Sequence, residues 1–385
     1  MAGTVAARAV AGRDGRFAFE LASSRDDGEI RRLLRDHAFP GAISLSLERE
    51  PNAAIAASIE GDVHQTLLAR DQFTGQVAAI ATRSVRNAFV NGEPSRVGYL
   101  GQLRIDRRYR RHRSLLEDGF AFCRALHNRG DARLYLTSIV ADNQAARRLL
   151  LTRRWIAGPR FTEIDRLVTL VIPLLRQPRP IDVEGIRIDR GSPSRVGEIA
   201  ACLWRNLRRY QFAPCWTAED LLSADRTRGL SPEHFFVAIR QGRVIGCLGC
   251  WDQRAFKQVV VRGYSPTLTR WRPLVNAAAP WVGAPVLPAV GQPLAFAYLS
   301  HAAVDDDRDD VMAALATAAY RHARAAGLDD VAIAFTARHP LLGAIARGFR
   351  HRAYFSVLAI ANWPDGDERL RSLDGRLPQP EVAVL

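Results

Sequence analysis

The run Tyr99-Leu100-Gly101-Gln102-Leu103-Arg104-Ile105 returns at a constant offset as Tyr298-Leu299-Ser300-His301-Ala302-Ala303-Val304, and the elements around the two runs follow in the same order. Each run is an apolar strand. Each leads into an amphipathic helix that stops at a glycine (Gly130, Gly327), then a second apolar strand (132–140, 331–335), a further helix, and a closing strand region (160–175, 354–360). Before each run stand a strand (16–21, 186–188), a helix (from Asp26, and 196–210) and a hairpin (64–90, 235–251). Internal repetition on this scale predicts two copies of one fold, an α/β architecture with a mixed sheet. The 385 residues suit two domains of ordinary size. Arg176-Gln177-Pro178-Arg179-Pro180 reads as the break between them. The expected division is a tail over 1–15, a first domain over 16–176, a linker over 177–185, a second domain over 186–363 and a tail over 364–385. Residues 254–293 have no counterpart in the first copy; their tryptophans and prolines suit an ordered apolar cover that lines an acceptor or acyl-chain pocket, or that only pads the junction.

The first copy carries a feature with chemistry. Its strand runs into Arg107, Arg108, Arg110, Arg111 and Arg113, and then into a helix whose Ser114 and Glu117 have capping-box spacing. The N–H groups of a first helical turn favour an anion, and arginine forks grip phosphate oxygens in pairs. The arrangement therefore suits a diphosphate-bearing ligand, the alternative being a solvated basic loop. In the second copy the same place holds Asp305, Asp306, Asp307, Asp309 and Asp310 with only Arg308 among them, which excludes a pyrophosphate. Those aspartates read as a complement to the helix dipole rather than as metal ligands.

Strand, phosphate turn, helix, strand and an Asn-x-x-Ala helix start together resemble the acyl-CoA core of the GNAT acyltransferase superfamily, and the repetition resembles its tandem members. The resemblance spans roughly residues 16 to 363 and implies two tandem GNAT-like folds, the second degenerate. It assigns the splayed strand that bonds the CoA arm to Leu103, Arg104 and Ile105, the pyrophosphate turn to Arg110, Arg111, His112, Arg113, Ser114 and Leu115, and the helix-start asparagine to Asn143. The turn departs from the family pattern, with Arg113 and Leu115 at its glycine positions, so arginine side chains supply part of the grip. Leu150 stands where the family often has a proton-donating tyrosine, and Gly101 and Gln102 stand where a carboxylate would sit. No catalytic acid or base is assigned. Orientation and backbone N–H groups near residues 103–105 are expected to drive the reaction.

The resemblance implies an N-acyltransferase with acetyl-CoA as the expected co-substrate and a longer acyl-CoA as the alternative, without a metal, acting on a small-molecule or peptide amine. The first half would hold CoA and the second would shape the acceptor site. Two rivals remain: an aminoacyl-tRNA-dependent transferase resembling the Fem enzymes, and a binding protein that kept the fold without turnover. The net charge of +14 argues only weakly for nucleic acid, because the arginines are spread along the chain and no RNA-binding motif accompanies them. Residues 1–15 lack the apolar core of a signal peptide, no stretch has transmembrane length, and five cysteines read as reduced thiols, so a cytoplasmic protein is expected. Cys247 and Cys250 have CxxC spacing inside a strand, where they should face opposite ways and serve packing.

Overall fold

The computed structural model describes residues 9–128, 130–282 and 286–385. Along the chain the strands are β1 (Val10–Ala11), β2 (Phe17–Leu21), β3 (Ile43–Glu48), β4 (Val63–Asp71), β5 (Val77–Val90), β6 (Glu93–Ile105), β7 (Tyr135–Val140), β8 (Arg160–Pro173), β9 (Arg187–Arg190), β10 (Phe235–Arg240), β11 (Arg243–Trp251), β12 (Gln258–Tyr264), β13 (Phe296–Val304), β14 (Asp330–Thr336) and β15 (Arg352–Asn362). Thirteen of them form one mixed sheet in the order β1-β2-β4-β5-β6-β7-β15-β8-β14-β13-β11-β10-β9. The repeat is visible in that order. β6 runs parallel to β7 in the first copy as β13 runs parallel to β14 in the second, and each pair is preceded by an antiparallel meander.

The closing strands are exchanged. β8, from the region expected to close the first copy, pairs with β14 of the second, while β15 pairs with β7 of the first. β8 and β15 also pair with each other along their whole length, which welds the copies into one sheet. The equivalent helices, Arg113–His127 and Asp309–Ala325, cover the same face of their own copies. Leu115, Phe122, Cys123 and Leu126 pack on Phe17, Phe19 and Leu67 in the first. Val311, Met312, Leu315, Ala316 and Ala319 pack on Phe236, Leu248, Leu299 and Ile333 in the second. Cys247 and Cys250 enter separate clusters, as their spacing in a strand requires, and all five cysteines are buried free thiols.

The two end segments depart from the sequence reading, and the 254–293 segment gains defined elements. Residues 1–8 of the expected N-terminal tail lie outside the described residues, but 9–15 are ordered: β1 pairs with β2, and Arg13 Nε donates to Asp118 Oδ1 at 2.7 Å. Residues 254–293 hold β12 and the helix Pro266–Val282, and β12 forms a separate two-stranded sheet with β3. Residues 364–385, expected as a tail, return to the molecular centre, where Ala383 and Val384 are buried.

Candidate active site

β6 and β7 are hydrogen-bonded in register only at Gly98↔Tyr135 and Tyr99↔Leu136. Past Tyr99 they diverge, so residues 100–105 lose their strand neighbour on that side. Two local features open the wedge. Gln102 has φ 51°, a left-handed conformation in a non-glycine residue, and β5 shifts register opposite it between Ile80 and Thr82. At the mouth, Tyr99 Oη and Ser138 Oγ lie 2.8 Å apart, so a hydrogen bond replaces the missing ladder between the two strands.

The wedge opens into a cavity of about 410 Å³. One wall is apolar: Phe19, Leu67, Ala69 and Ile80 from the sheet, with Leu116 and Gly119 from the covering helix. A Cβ at Gly119 would touch only Phe19, at 3.5 Å, so the glycine leaves open space. The opposite wall comes from β3 and the 254–293 segment, which contribute Leu47, Arg49, Lys257, Gln258 and Val259. Val382 and Leu385 complete it from the end of the described chain. The cavity thus takes residues from both copies.

The sequence-assigned residues divide between two places. Leu103, Arg104, Leu115 and Asn143 line the cavity, as does Leu150. Arg113 and Ser114 line a separate surface cleft of about 380 Å³ with Arg13, Asp14, Glu117 and Arg153. Arg110 and Arg111 project into solvent between the strand end and the helix. His112 is the N-cap residue but makes no side-chain cap bond, so the expected capping box is absent. Its physical reason is the neighbouring loop: the helix begins two residues earlier than a cap at Ser114 requires, at Arg113, and Ser114 Oγ donates to Asp14 Oδ2 at 2.7 Å instead. Asn143 is spent on its own helix, where Oδ1 accepts from Ala146 N at 3.1 Å. The carbonyl of Ile105 is taken by His37 Nε2 at 2.6 Å.

Arg104 is the cavity's most exposed question of charge balance. Its Nη1 donates to the Leu103 carbonyl at 3.1 Å, its Nε is buried without a partner, and no carboxylate of the described residues pairs with it. Burial, with the nearby Arg49 charge, pushes it down to about 10. A buried guanidinium without a counter-ion suits a carbonyl or anionic oxygen of a bound molecule.

Several polar groups in the cavity wall or bonded to it were given no role in the sequence reading. Glu60, from the short helix Ala57–Glu60, accepts from Arg49 Nη2 at 2.9 Å, His64 Nε2 at 3.1 Å and Gln102 Nε2 at 3.5 Å. Burial alone would raise its carboxyl, but the His64 bond and the Arg49 charge hold it well below the usual range. Lys257, the only lysine of the chain, donates to the carbonyls of Ala383 at 3.1 Å and Leu385 at 2.9 Å. Burial and then Arg49 push its amine down to about 7, against the pull of Glu60. Tyr99 is pushed up by burial and keeps its proton near neutrality, so it is a hydroxyl able to donate at the wedge mouth. The one signal in the sequence was Lys257's isolation among the arginines.

The second wedge is built the same way and is filled. β13 and β14 pair only from Phe296↔Asp330 to Tyr298↔Ala332, and His301, the counterpart of Gln102, also has a left-handed φ, 54°. Residues 377–385 occupy the gap. Gln379 donates from Nε2 to Ala334 O and accepts from Thr336 N at Oε1; Glu381 accepts from His301 N at 2.8 Å. The acidic turn beside it is neutralised internally: Asp305 by Arg205 at 2.8 Å, Asp307 by Arg209 at 2.7 Å, and Asp309 by Arg347. Among the described residues no cluster of three or more His, Cys, Asp or Glu side chains could hold a metal ion.

No family model matches the sequence, and neither does any curated protein. Solved structures match over nearly the whole chain. The GCN5-related glucosamine N-acetyltransferase region of a fungal multi-domain GH3 β-N-acetylglucosaminidase aligns with 92% of this chain at a TM-score of 0.60 and 15% identity, this chain spanning 38% of that one. A GCN5-related N-acetyltransferase from Sphaerobacter thermophilus aligns with 90% of this chain and 96% of its own, at 0.54 and 15%. Saccharomyces cerevisiae N-myristoyltransferase with bound myristoyl-CoA aligns with 90% of this chain and 79% of its own, at 0.58 and 12%. With the paired wedges, these likenesses establish that the chain has the GNAT-type acyltransferase fold, laid down twice in one continuous sheet.

Proposed function

We propose that the protein is an acyl-CoA-dependent N-acyltransferase with one acyl-CoA site per chain, in the first wedge. The observation that carries this reading is the contrast between two wedges of the same design, one open into a cavity and the other filled by residues 377–385. Leu115, in the first turn of the covering helix, lines the open cavity, and the arginine-bearing turn with Arg110, Arg111 and Arg113 leads directly into it, offering a CoA diphosphate cationic forks and first-turn N–H groups. The apolar wall from Phe19 to Gly119 favours an acyl group longer than acetyl. β3, the 254–293 segment and the end of the chain then form the acceptor side.

In such a reaction the acceptor nitrogen bonds to the thioester carbonyl carbon, the C–S bond breaks, and a proton passes from nitrogen to sulfur. Backbone N–H groups of the unpaired edge at residues 103–105 are the polarising element, and Tyr99 is the hydroxyl available to the leaving thiolate. Arg104 suits an oxygen of either substrate. Titration calorimetry with CoA should give a stoichiometry near one, and Arg110→Ala/Arg111→Ala/Arg113→Ala should weaken binding strongly, each lost charged hydrogen bond being worth about 1.5–3 kcal/mol. An unchanged affinity in the triple variant would sink the assignment of the turn, and two sites per chain would refute the filled second wedge. Incubation with acyl-CoA panels and candidate amines, read by mass spectrometry of the product, then separates turnover from binding alone.

A further inference from the structure

The helix Pro266–Val282 follows β12 directly and presents an uncovered apolar face. Trp271, Leu274, Val275 and Trp281 are 52%, 60%, 41% and 87% exposed, and Ala278 lies on the same side. At about 100° per residue these positions fall within roughly a third of the helix circumference, one stripe along the axis. The opposite face is anchored. Arg272 Nε donates to Leu287 O at 3.2 Å, Asn276 exchanges two hydrogen bonds with the Leu287 backbone at 3.0 and 2.8 Å, and Ala279 is buried. The stripe is therefore held outward by a fixed inner face. Val286 and Val290, 52% and 57% exposed, extend the apolar surface on the returning chain.

Charge singles out the occupant. Between Asp252 and Asp305 the sequence has no acidic residue; of the cations there, Arg254 pairs with Asp252, Arg262 with Glu48, and Lys257 is held on the carbonyls of Ala383 and Leu385, which leaves Arg270 and Arg272, on the helix itself, without a carboxylate partner among the described residues. Arg270 is exposed beside the stripe. Tryptophan at the edge of an apolar face, with arginine and no carboxylate on the same helix, matches the chemistry of a bilayer interface, where indole rings sit at headgroup depth and arginine meets anionic phosphate. Pro273 and Pro280 lack the N–H that would satisfy the carbonyls of Thr269 and Asn276, which favours a wet headgroup layer over the hydrocarbon core. No helix of the described residues is long and apolar enough to cross a membrane.

We infer that the Pro266–Val282 helix docks the protein on an anionic phospholipid surface through Trp271, Leu274 and Trp281. The helix continues from β12, whose Gln258 and Val259 wall the cavity, so docking brings the cavity wall beside the bilayer.

The test is co-sedimentation of the full-length protein with vesicles of phosphatidylcholine containing about 30% phosphatidylglycerol, and with pure phosphatidylcholine vesicles as the comparison. The wild type should sediment with the anionic vesicles and lose that binding as salt rises. Trp271→Ala/Leu274→Ala/Trp281→Ala should bind at least about tenfold more weakly, since burying even one such side chain is worth about a factor of ten. Arg270→Glu should lower binding to anionic vesicles and leave the weak binding to neutral ones as it was. CoA affinity by calorimetry, unchanged in these variants, verifies their fold and keeps this test separate from that of the acyltransferase reading. Failure of the wild type to sediment overturns the inference, and so does equal binding by the triple variant. A concentration-dependent dimer in analytical ultracentrifugation that the triple variant abolishes, without vesicle binding, would assign the stripe to a second copy of the chain and overturn it too.

Discussion

Two buried histidines of the second half should make the protein lose stability well above the pH at which carboxylates titrate. His301 is 1% exposed; its ring lies 4.3 Å from that of Trp216 and 5.3 Å from that of Phe235, and its Nε2 has no partner. Burial, helped by the charge of Arg86, pushes it down to about 3. His339 stacks on Tyr210 at 4.6 Å and accepts from Leu341 N at Nδ1, and burial pushes it down to about 4 against the opposing pull of Asp307. Both are neutral in the folded protein, whereas in the unfolded chain a histidine titrates near 6.5. A depressed folded pKa means that the contribution is complete above the unfolded value and is lost as pH falls toward the folded one. The slope is about 1.4 kcal/mol per pH unit for each group. Between pH 6.5 and pH 5 each histidine therefore removes roughly 2 kcal/mol, and the pair about 4 kcal/mol, a large part of a typical folding stability of about 5–15 kcal/mol. Urea unfolding at pH 7.5 and pH 5.0, compared for the wild type, His301→Gln and His339→Gln, measures it. Each variant should lose about half of the wild-type pH dependence, whatever its stability at pH 7.5. A wild type equally stable at both pH values, or a dependence that survives intact in both variants, refutes the argument.

Gly119→Phe should fill the apolar end of the cavity and move acyl preference toward short chains, by about fourfold for each methylene displaced at about 0.8 kcal/mol per methylene; initial rates across a series of acyl-CoA lengths check it, and an unchanged profile would place the chain elsewhere. Tyr99→Phe removes the hydroxyl that bridges to Ser138 and should lower turnover by about 10²–10⁴-fold with CoA affinity retained; wild-type turnover in that variant would leave orientation and backbone polarisation as the whole of catalysis.

The repeat was legible because each copy's central strand, half-buried over 99–105 in the first and mostly buried in the second, keeps its apolar run, so Tyr99 and Tyr298 mark the same place in two sequences that otherwise diverge. The arginine-bearing turn was legible in its charge but not in its cap, because Ser114 answers to Asp14, about a hundred residues away in sequence. Three parts of the site had no local signal. Strand β3 reads weakly by itself, since Ser44 and Ser46 dilute it, and it is fixed only by pairing with β12 across more than two hundred residues. Exchange of β8 and β15 leaves each strand's own pattern unchanged, so periodicity could not reveal it. The filling of the second wedge rests on Gln379 and Glu381, two ordinary polar residues set beside prolines in a short apolar segment, whose meaning comes only from the unpaired backbone they meet.

That last contact explains how one architecture supports unequal halves. An open wedge leaves strand edges without a ladder, and a buried N–H or carbonyl without a partner is costly. The second copy meets that demand permanently, with side chains from residues 377–385, and its helix core is packed solid by Met312, Leu315 and Ala319. The first copy meets it at the mouth, through Tyr99 and Ser138, and at the strand end, where His37 takes the Ile105 carbonyl; behind the mouth it places Gly119 where the second copy, its helix aligned on Gly327, has the buried Ala316. A backbone edge left unpaired above an apolar hollow, with Arg104 unneutralised beside it, is an arrangement completed by a ligand that carries amide groups, a polar carbonyl and an apolar chain together, and an acyl-CoA carries all three.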